Sequence, residues 1–417
     1  MSSDTLAIDF GTSNSAAAVL VDGRVRRLAI ETDAETVPTA VFFPADKGPM
    51  RIGVAAAVAL IGGEDGRYMR ALKSVLGTSL FHEQRPIGGK RRTLADIVTA
   101  FLVEVKARAE VASAQRFTQV LSGRPVHFHS ADPLRDARAE ADLRGCYLAA
   151  GFGEVRFMFE PEAAALATHG LGQAGALGLI VDIGGGTSDF SVFRSEPGRV
   201  RILASHGIRL GGTDFDQAVS MAHVMPRLGH GGELRREMGP GLLPVPNHLY
   251  VELATWAKIP FLYTPETRAE VAKMVKLAVK PRLLRRLATV LTHELGHELA
   301  FAVERGKINA NAGQDGARIS MTKVEADLAV PITPASLDAA LARYREPWRA
   351  AAATTCRMAG VTPDAIGTVI LVGGSSLMAM VSDEVRQLCP NARLQHSEPF
   401  TAVVDGLALA TDPAFQA

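Results

Sequence analysis

Leu179-Ile-Val-Asp182-Ile-Gly184-Gly185-Gly186-Thr187-Ser-Asp189-Phe-Ser-Val-Phe193 is the stretch whose reading decides the fold. An apolar, β-branched run breaks at three glycines and resumes with Phe190 and Val192 alternating around Ser191, which predicts a hairpin. Glycines at the tip let backbone N–H groups approach an anion closely, and glycine also opens dihedrals closed to other residues, so the tip reads as a phosphate cradle. Asp182 and Asp189 bracket it. Carboxylates beside a polyphosphate call for a divalent cation, and Mg²⁺ held largely through water is the expectation. The alternative is a glycine-rich turn that binds nothing.

The same pattern occurs at the start of the chain. Leu6-Ala-Ile-Asp9-Phe-Gly11-Thr12-Ser13 enters on an apolar run, turns at Gly11, and leaves through Ala16–Leu20. A unit recurring at the scale of a domain is an internal duplication rather than a solenoid repeat. Two lobes follow, each with a phosphate hairpin. If the tips face one another across a cleft, Asp9 and Asp182 share one cation, and Gly11, Thr12 and Ser13 meet the phosphates from the opposite side. A third glycine turn follows the apolar run Thr368–Val372, at Gly373, Gly374 and Ser375, and a fourth glycine pair, Gly211 and Gly212, precedes a helix start where an anion would sit well.

Composition narrows the class. The chain has 417 residues, 47% of them hydrophobic, and a formal charge of +1, enough apolar material for more than one core and no basic excess suited to nucleic acid or an anionic membrane. The basic clusters at Lys90–Arg92, Arg235–Arg236 and Arg285–Arg286 read as solvated faces. Cys146, Cys356 and Cys389 are widely spaced, which predicts reduced core residues and neither a disulfide framework nor a thiolate metal site. The start of the chain carries no leader pattern, and the apolar region from Ala163 to Val181 is interrupted by His169 and Gln173; the expectation is a cytoplasmic protein without a membrane span.

Candidate chemical residues lie between the motifs. Tyr68–Gly77 reads as a short amphipathic segment, with Lys73 among apolar neighbours, either an ordinary surface lysine or one aimed inward at phosphate. Leu94–Val111 has helical period. Glu160 falls where the strand Val155–Phe159 ends, and Pro161 opens a helix of small residues. His127 and His129 alternate on a strand end and read as structural. Residues 229 to 246 read as irregular, and mainly helical segments follow to about Asn309. Within them His293-Glu294-Leu295-Gly296-His297 fits the H-E-x-x-H zinc pattern, which needs both histidines on one helical face; the extended pattern does not follow. Glu304 and Lys307 at i, i+3 are either a weak helical ion pair or two polar groups facing a ribose. Glu398-Pro399 before a second small-residue helix repeats Glu160-Pro161, and two such helices could cross closely and act as a hinge.

Taken in order, these motifs resemble the actin-like ATPase superfamily, and most closely the nucleotide-binding domain of the heat-shock-70, or DnaK-type, chaperones. Asp9-Phe-Gly-Thr-Ser13 resembles the first phosphate motif, Asp182–Asp189 the second, Val372-Gly-Gly-Ser-Ser376 the adenosine motif, and the two Glu-Pro helices the connecting helices. The resemblance implies a duplicated actin-like (ribonuclease H-like) α/β ATPase fold with two lobes around a central nucleotide cleft. Lobe I spans residues 1–175, lobe II residues 176–395 with a helical insertion at about 229–312, and a C-terminal connecting helix, 396–417, returns to lobe I. It further implies ATP or ADP with Mg²⁺. Lys73 would stabilise the transferred phosphoryl group, Glu160 would orient the attacking water, and Asp9 and Asp182 would place the metal. Thr12, Ser13, Thr187 and the tip glycines would contact phosphates. Glu304, Lys307, Gly211, Gly212, Gly373, Gly374 and Ser375 would hold the rest of the nucleotide.

Leu377, Ile308 and Phe400 depart from that family's pattern around the base, so adenine selectivity is less firmly implied than phosphate binding. Only a short tail follows the second connecting helix, which predicts a chain without a peptide-binding domain of its own, working with a separate protein partner or client. Leu253–Tyr263 resembles the truncated YegD-type relatives. A small-molecule kinase on the same fold and a nucleotide-dependent scaffold or filament protein are the alternatives.

Overall fold

Sheet topology repeats what the motifs repeat. In the computed structural model, which describes residues 4–32, 34–129, 132–169, 174–196, 199–396 and 401–412, β1 (Thr5–Phe10) and β2 (Asn14–Val21) form the first hairpin, with Asp9 opposite Ala16. Strand β3 (Arg24–Arg27) pairs antiparallel with β2, while β4 (Gln119–Arg124) and β5 (Glu154–Phe159) extend parallel from β1. The order is β5-β4-β1-β2-β3. A second sheet is built from β6 (Leu177–Ile183), β7 (Ser188–Glu196) and β8 (Arg199–Ile208), antiparallel in turn, with β9 (Thr368–Val372) and β10 (Arg393–His396) parallel to β6. Its order, β10-β9-β6-β7-β8, is that of the first sheet. Both Asp9 and Asp182 stand one residue before the end of the leading strand.

The chain divides into two compact units, one of Met1–Arg209 with Trp348–Leu377 and Val381–Ala417, the other of Leu210–Pro347 with Met378–Met380. Both sheets belong to the first unit. Because successive strand residues face opposite ways, β1 sends Leu6, Ile8 and Phe10 to one core and Ala7 to another. The first core lies under two helices. One is α1 (Leu94–Ser113), capped by Thr93 and Asp96 and burying Ile97, Phe101 and Val105; the other is α2 (Pro133–Ala149), capped by Asp132 and burying Leu143 and Tyr147. Ile180 of β6 and Ile370 of β9 share the second core with Ala7, through α3 (Glu160–His169) and α4 (Ala402–Leu409). These two helices cross so closely that a Cβ on Gly406 would lie 1.8 Å from the Ala163 carbonyl oxygen. The close crossing expected of small-residue helices is therefore present, although Glu398, Pro399 and Phe400 lie outside the described residues. At the back of the second sheet Trp348 is fully buried and meets the Phe190 ring edge-on at 5.0 Å.

The second unit is mainly helical. Within it, residues 229–246, expected to be irregular, include a short hairpin, Glu233–Arg235 with Leu242–Pro244, because glycines at 239 and 241 take the positive φ that its turn needs. Tyr68–Gly77 is also not one segment: Gly66–Arg70 is a strand on Ala40–Pro44, and only Leu72–Val75 turns as a 3-10 helix, after Ala71 in the left-handed region. All three cysteines are free and buried. Among the described residues no helix is long and apolar enough to cross a membrane.

Candidate active site

Sheet order brings the two hairpin tips together within the first unit. Ser13 of the first tip sits so near the second that its Oγ lies 2.9 Å from where a Cβ on Gly185 would be. Gly373, at φ 83°, packs its backbone against the end of β6, where a Cβ would be 3.0 Å from Asp182 Oδ1. The three glycine turns at Gly11, Gly184–Gly186 and Gly373 thus converge.

The tip glycines are required for different reasons. A Cβ on Gly11 would strike the Asn14 carbonyl oxygen at 2.1 Å, so the tight turn itself demands glycine. None of Gly184, Gly185 and Gly186 has a positive φ in the left-handed region, which corrects the expectation of special dihedrals. A Cβ on Gly186 would meet nothing within 4 Å, and one on Gly184 would make only ordinary contact. The missing side chains there leave an open cradle that the protein's own packing does not use.

Four carboxylates and one ammonium group surround that cradle. Lys73, on the 3-10 turn, is buried and ion-paired with buried Glu160, which opens α3. Several contacts hold that turn down: Leu72 and Leu76 enter the first core, Gly77 N–H donates to Asp142 at 2.9 Å, and His129 bonds the Leu76 carbonyl at 2.7 Å. The last contact supports the structural reading of His129. Gly123 of β4 makes room for Glu160, whose Cγ would lie 3.1 Å from a Cβ placed there.

Desolvation pushes the Asp9 carboxyl up to about 7, with Glu160 adding to the rise and Lys73 opposing it. Asp182 rises to about 8 by desolvation and then by the negative charges of Glu160, Asp189 and Asp9. Asp189, directly opposite Asp182 in the β6–β7 register, rises to about 6, chiefly by desolvation and against a hydrogen bond from Thr187 Oγ1 at 3.1 Å. Desolvation depresses Lys73, but Glu160, Asp9 and Asp182 outweigh it and its pKa is raised. Like charges facing each other across a strand pair are destabilising. The donor set therefore fits a divalent cation. Among the described residues no three His, Cys, Asp or Glu side chains are grouped to hold a metal directly, so ligands from water and phosphate would complete the shell of an ion at Asp9 and Asp182.

Gly211, Gly212, Glu304 and Lys307 belong to the second unit. Gly211 caps the helix Gly212–Val219, but its N–H already donates to Asp214 Oδ2 at 2.9 Å. On the helix Gly296–Asn311, Glu304 is exposed, whereas Lys307 is buried and paired with Asp216 at 2.8 Å. Asp216 escaped the sequence reading; only its place two residues after Asp214 on an amphipathic helix could have signalled it. The zinc pattern fails on geometry: helix Pro281–Thr292 ends before His293, Glu294 takes φ 55°, and the next helix starts at Gly296, so the histidines share no helical face. His293 is exposed, and the His297 ring packs tilted against Trp256 at 4.8 Å.

A family model described as Hsp70 protein matches residues 81–230, a span that includes β4 to β8, Glu160 and the whole second tip. The duplicated sheets are those of an actin-like ATPase fold, and the match supports an Hsp70-family nucleotide-binding domain over the residues it covers. Proteins of that family bind ATP or ADP with Mg²⁺ in general, and over the matched span the likeness supports ATP binding of the same kind.

Proposed function

We propose that this chain is a nucleotide switch that hydrolyses ATP slowly with Mg²⁺ and passes its nucleotide state to a protein partner. The Lys73–Glu160 pair, set among Asp9, Asp182 and Asp189 where two hairpin tips converge, is the observation that carries this reading. Phosphoryl transfer asks a protein mainly for positioning and electrostatic stabilisation, and both are available here. Gly184, Gly186 and the facing hydroxyls of Thr12, Ser13 and Thr187 receive the phosphates. Asp9 and Asp182 would hold Mg²⁺, which when bound supplies charge neutralisation on the phosphate oxygens. Lys73 keeps the Glu160 carboxylate in place and adds positive charge at the transferred group, while Glu160 accepts a hydrogen bond from the attacking water and fixes its direction. Gly373, Gly374 and Ser375 continue the cradle beyond Asp182. For Glu304 and Lys307 the nucleoside role is part of the same proposal, and a change in ATP-over-GTP preference in Lys307→Ala tests it separately.

Single-turnover hydrolysis is the deciding measurement. Lys73→Ala and Glu160→Gln should bind ATP within a few-fold of wild type, measured by calorimetry with and without Mg²⁺, and should hydrolyse it far more slowly. Wild-type turnover in both variants would overturn the assignment.

A further inference from the structure

Away from the tips, the first unit has a cavity of about 260 Å³ whose walls include Phe43, Lys47, Met50, Gly89, Lys90 and Arg92. Three cations line it and no acidic residue does. One wall is a two-stranded hairpin, Arg85–Ile87 with Lys90–Arg92, turned by Gly88 and Gly89 at φ 56° and 71°. Strand alternation puts Lys90 and Arg92 on one face and sends Arg91 to the other, where it bonds Gln84 at 3.1 Å. Arg92 lies over the Phe43 ring at 5.0 Å and bonds the Ile87 carbonyl, while Arg85, opposite it in the register, is paired with Glu83 at 2.9 Å. From the facing loop, Lys47 lays its stem along Gly89, where a Cβ would be 3.0 Å from Lys47 Cγ. Among the described residues neither Lys47 nor Lys90 pairs with a carboxylate.

We propose that this cavity binds a small phosphate ester. A phosphate dianion answers the unpaired charge of Lys47 and Lys90 beside Arg92, and a short organic group fits the apolar wall of Phe43 and Met50. The volume takes a phosphate with a few carbons. This site is independent of the ATP reading.

Calorimetric titration of the full chain with phenyl phosphate, inorganic phosphate and benzoate tests it. Phenyl phosphate should bind at least tenfold more tightly than benzoate and more tightly than inorganic phosphate, with affinity falling as salt rises. In the double variant Lys47→Gln/Lys90→Gln it should weaken at least tenfold, while Lys73→Ala should leave it unchanged. Both lysines are exposed, so an unaltered melting temperature shows that the double variant is folded. Absence of binding, or a double variant within twofold of wild type, overturns the site; loss of phenyl phosphate binding in Lys73→Ala places the ligand at the hairpin tips instead; equal binding of benzoate overturns the choice of phosphate.

Discussion

The two hairpin tips share a topology and differ in what surrounds them. The first has one glycine, imposed by its own turn, and draws Lys73 and Glu160 from elements that follow β3 and β5. The second has three glycines, two of which the fold does not require, and faces Asp182 with Asp189. Duplication thus supplied two equivalent supports, and divergence made one carry the reactive pair and the other the open cradle. An anion between them meets the acid-rich side only through a cation.

Four experiments would break or sharpen that contrast. The largest effect belongs to the reactive pair: Glu160→Gln should slow single-turnover hydrolysis by roughly 10²-fold, as expected for loss of a positioned general base. Next is the crossing beneath both tips. Gly406→Val drives a side chain into the Ala163 backbone and should cost about 3 kcal/mol, read by denaturant unfolding, at the upper end for overpacking. An unperturbed variant would mean that the helices can separate without loss.

Third, the tips should answer alanine differently. Gly11→Ala meets Asn14 at 2.1 Å and should lose about 1–3 kcal/mol, whereas Gly186→Ala has open space and should stay within about 0.5 kcal/mol while weakening ATP binding. Equal losses in stability would erase the distinction drawn between them. The smallest effect is in the pH dependence of the nucleotide-free protein. Asp9, Asp182 and Asp189 have folded-state pKa values raised to about 7, 8 and 6, so between pH 4 and those values the folded state holds more protons than the unfolded one. Stability should therefore fall as pH rises through that window, and Asp182→Asn should flatten the slope of melting temperature against pH.

Much of this could be read from the chain because the signals were local. A β-branched run ending in Asp and glycine specifies strand, turn and strand within fifteen residues, and its recurrence predicted the second sheet. The Lys73–Glu160 pair was harder: each residue could be singled out, but their union depends on a 3-10 turn, on Gly123 and on the parallel placement of β4 and β5, which no short window contains. Lys307 with Asp216 is the same kind of long-range outcome. The H-E-x-x-H match is the opposite case: five residues fit a helical pattern, the missing extended pattern already argued against zinc, and Glu294 in the left-handed region interrupts the helix among them. The hairpin at Glu233–Pro244 was hidden because glycine and proline mark turns more strongly than they mark the three-residue strands beside them.

Trp348, packed edge-on against Phe190, gives the second sheet an optical property. Phe190 follows Asp189, and the chain's other tryptophan, Trp256, lies in the second unit beside Phe301. Each unit thereby carries a single tryptophan in an aromatic contact, and Trp256→Phe leaves one indole whose emission follows the strand behind the glycine cradle, with no label attached.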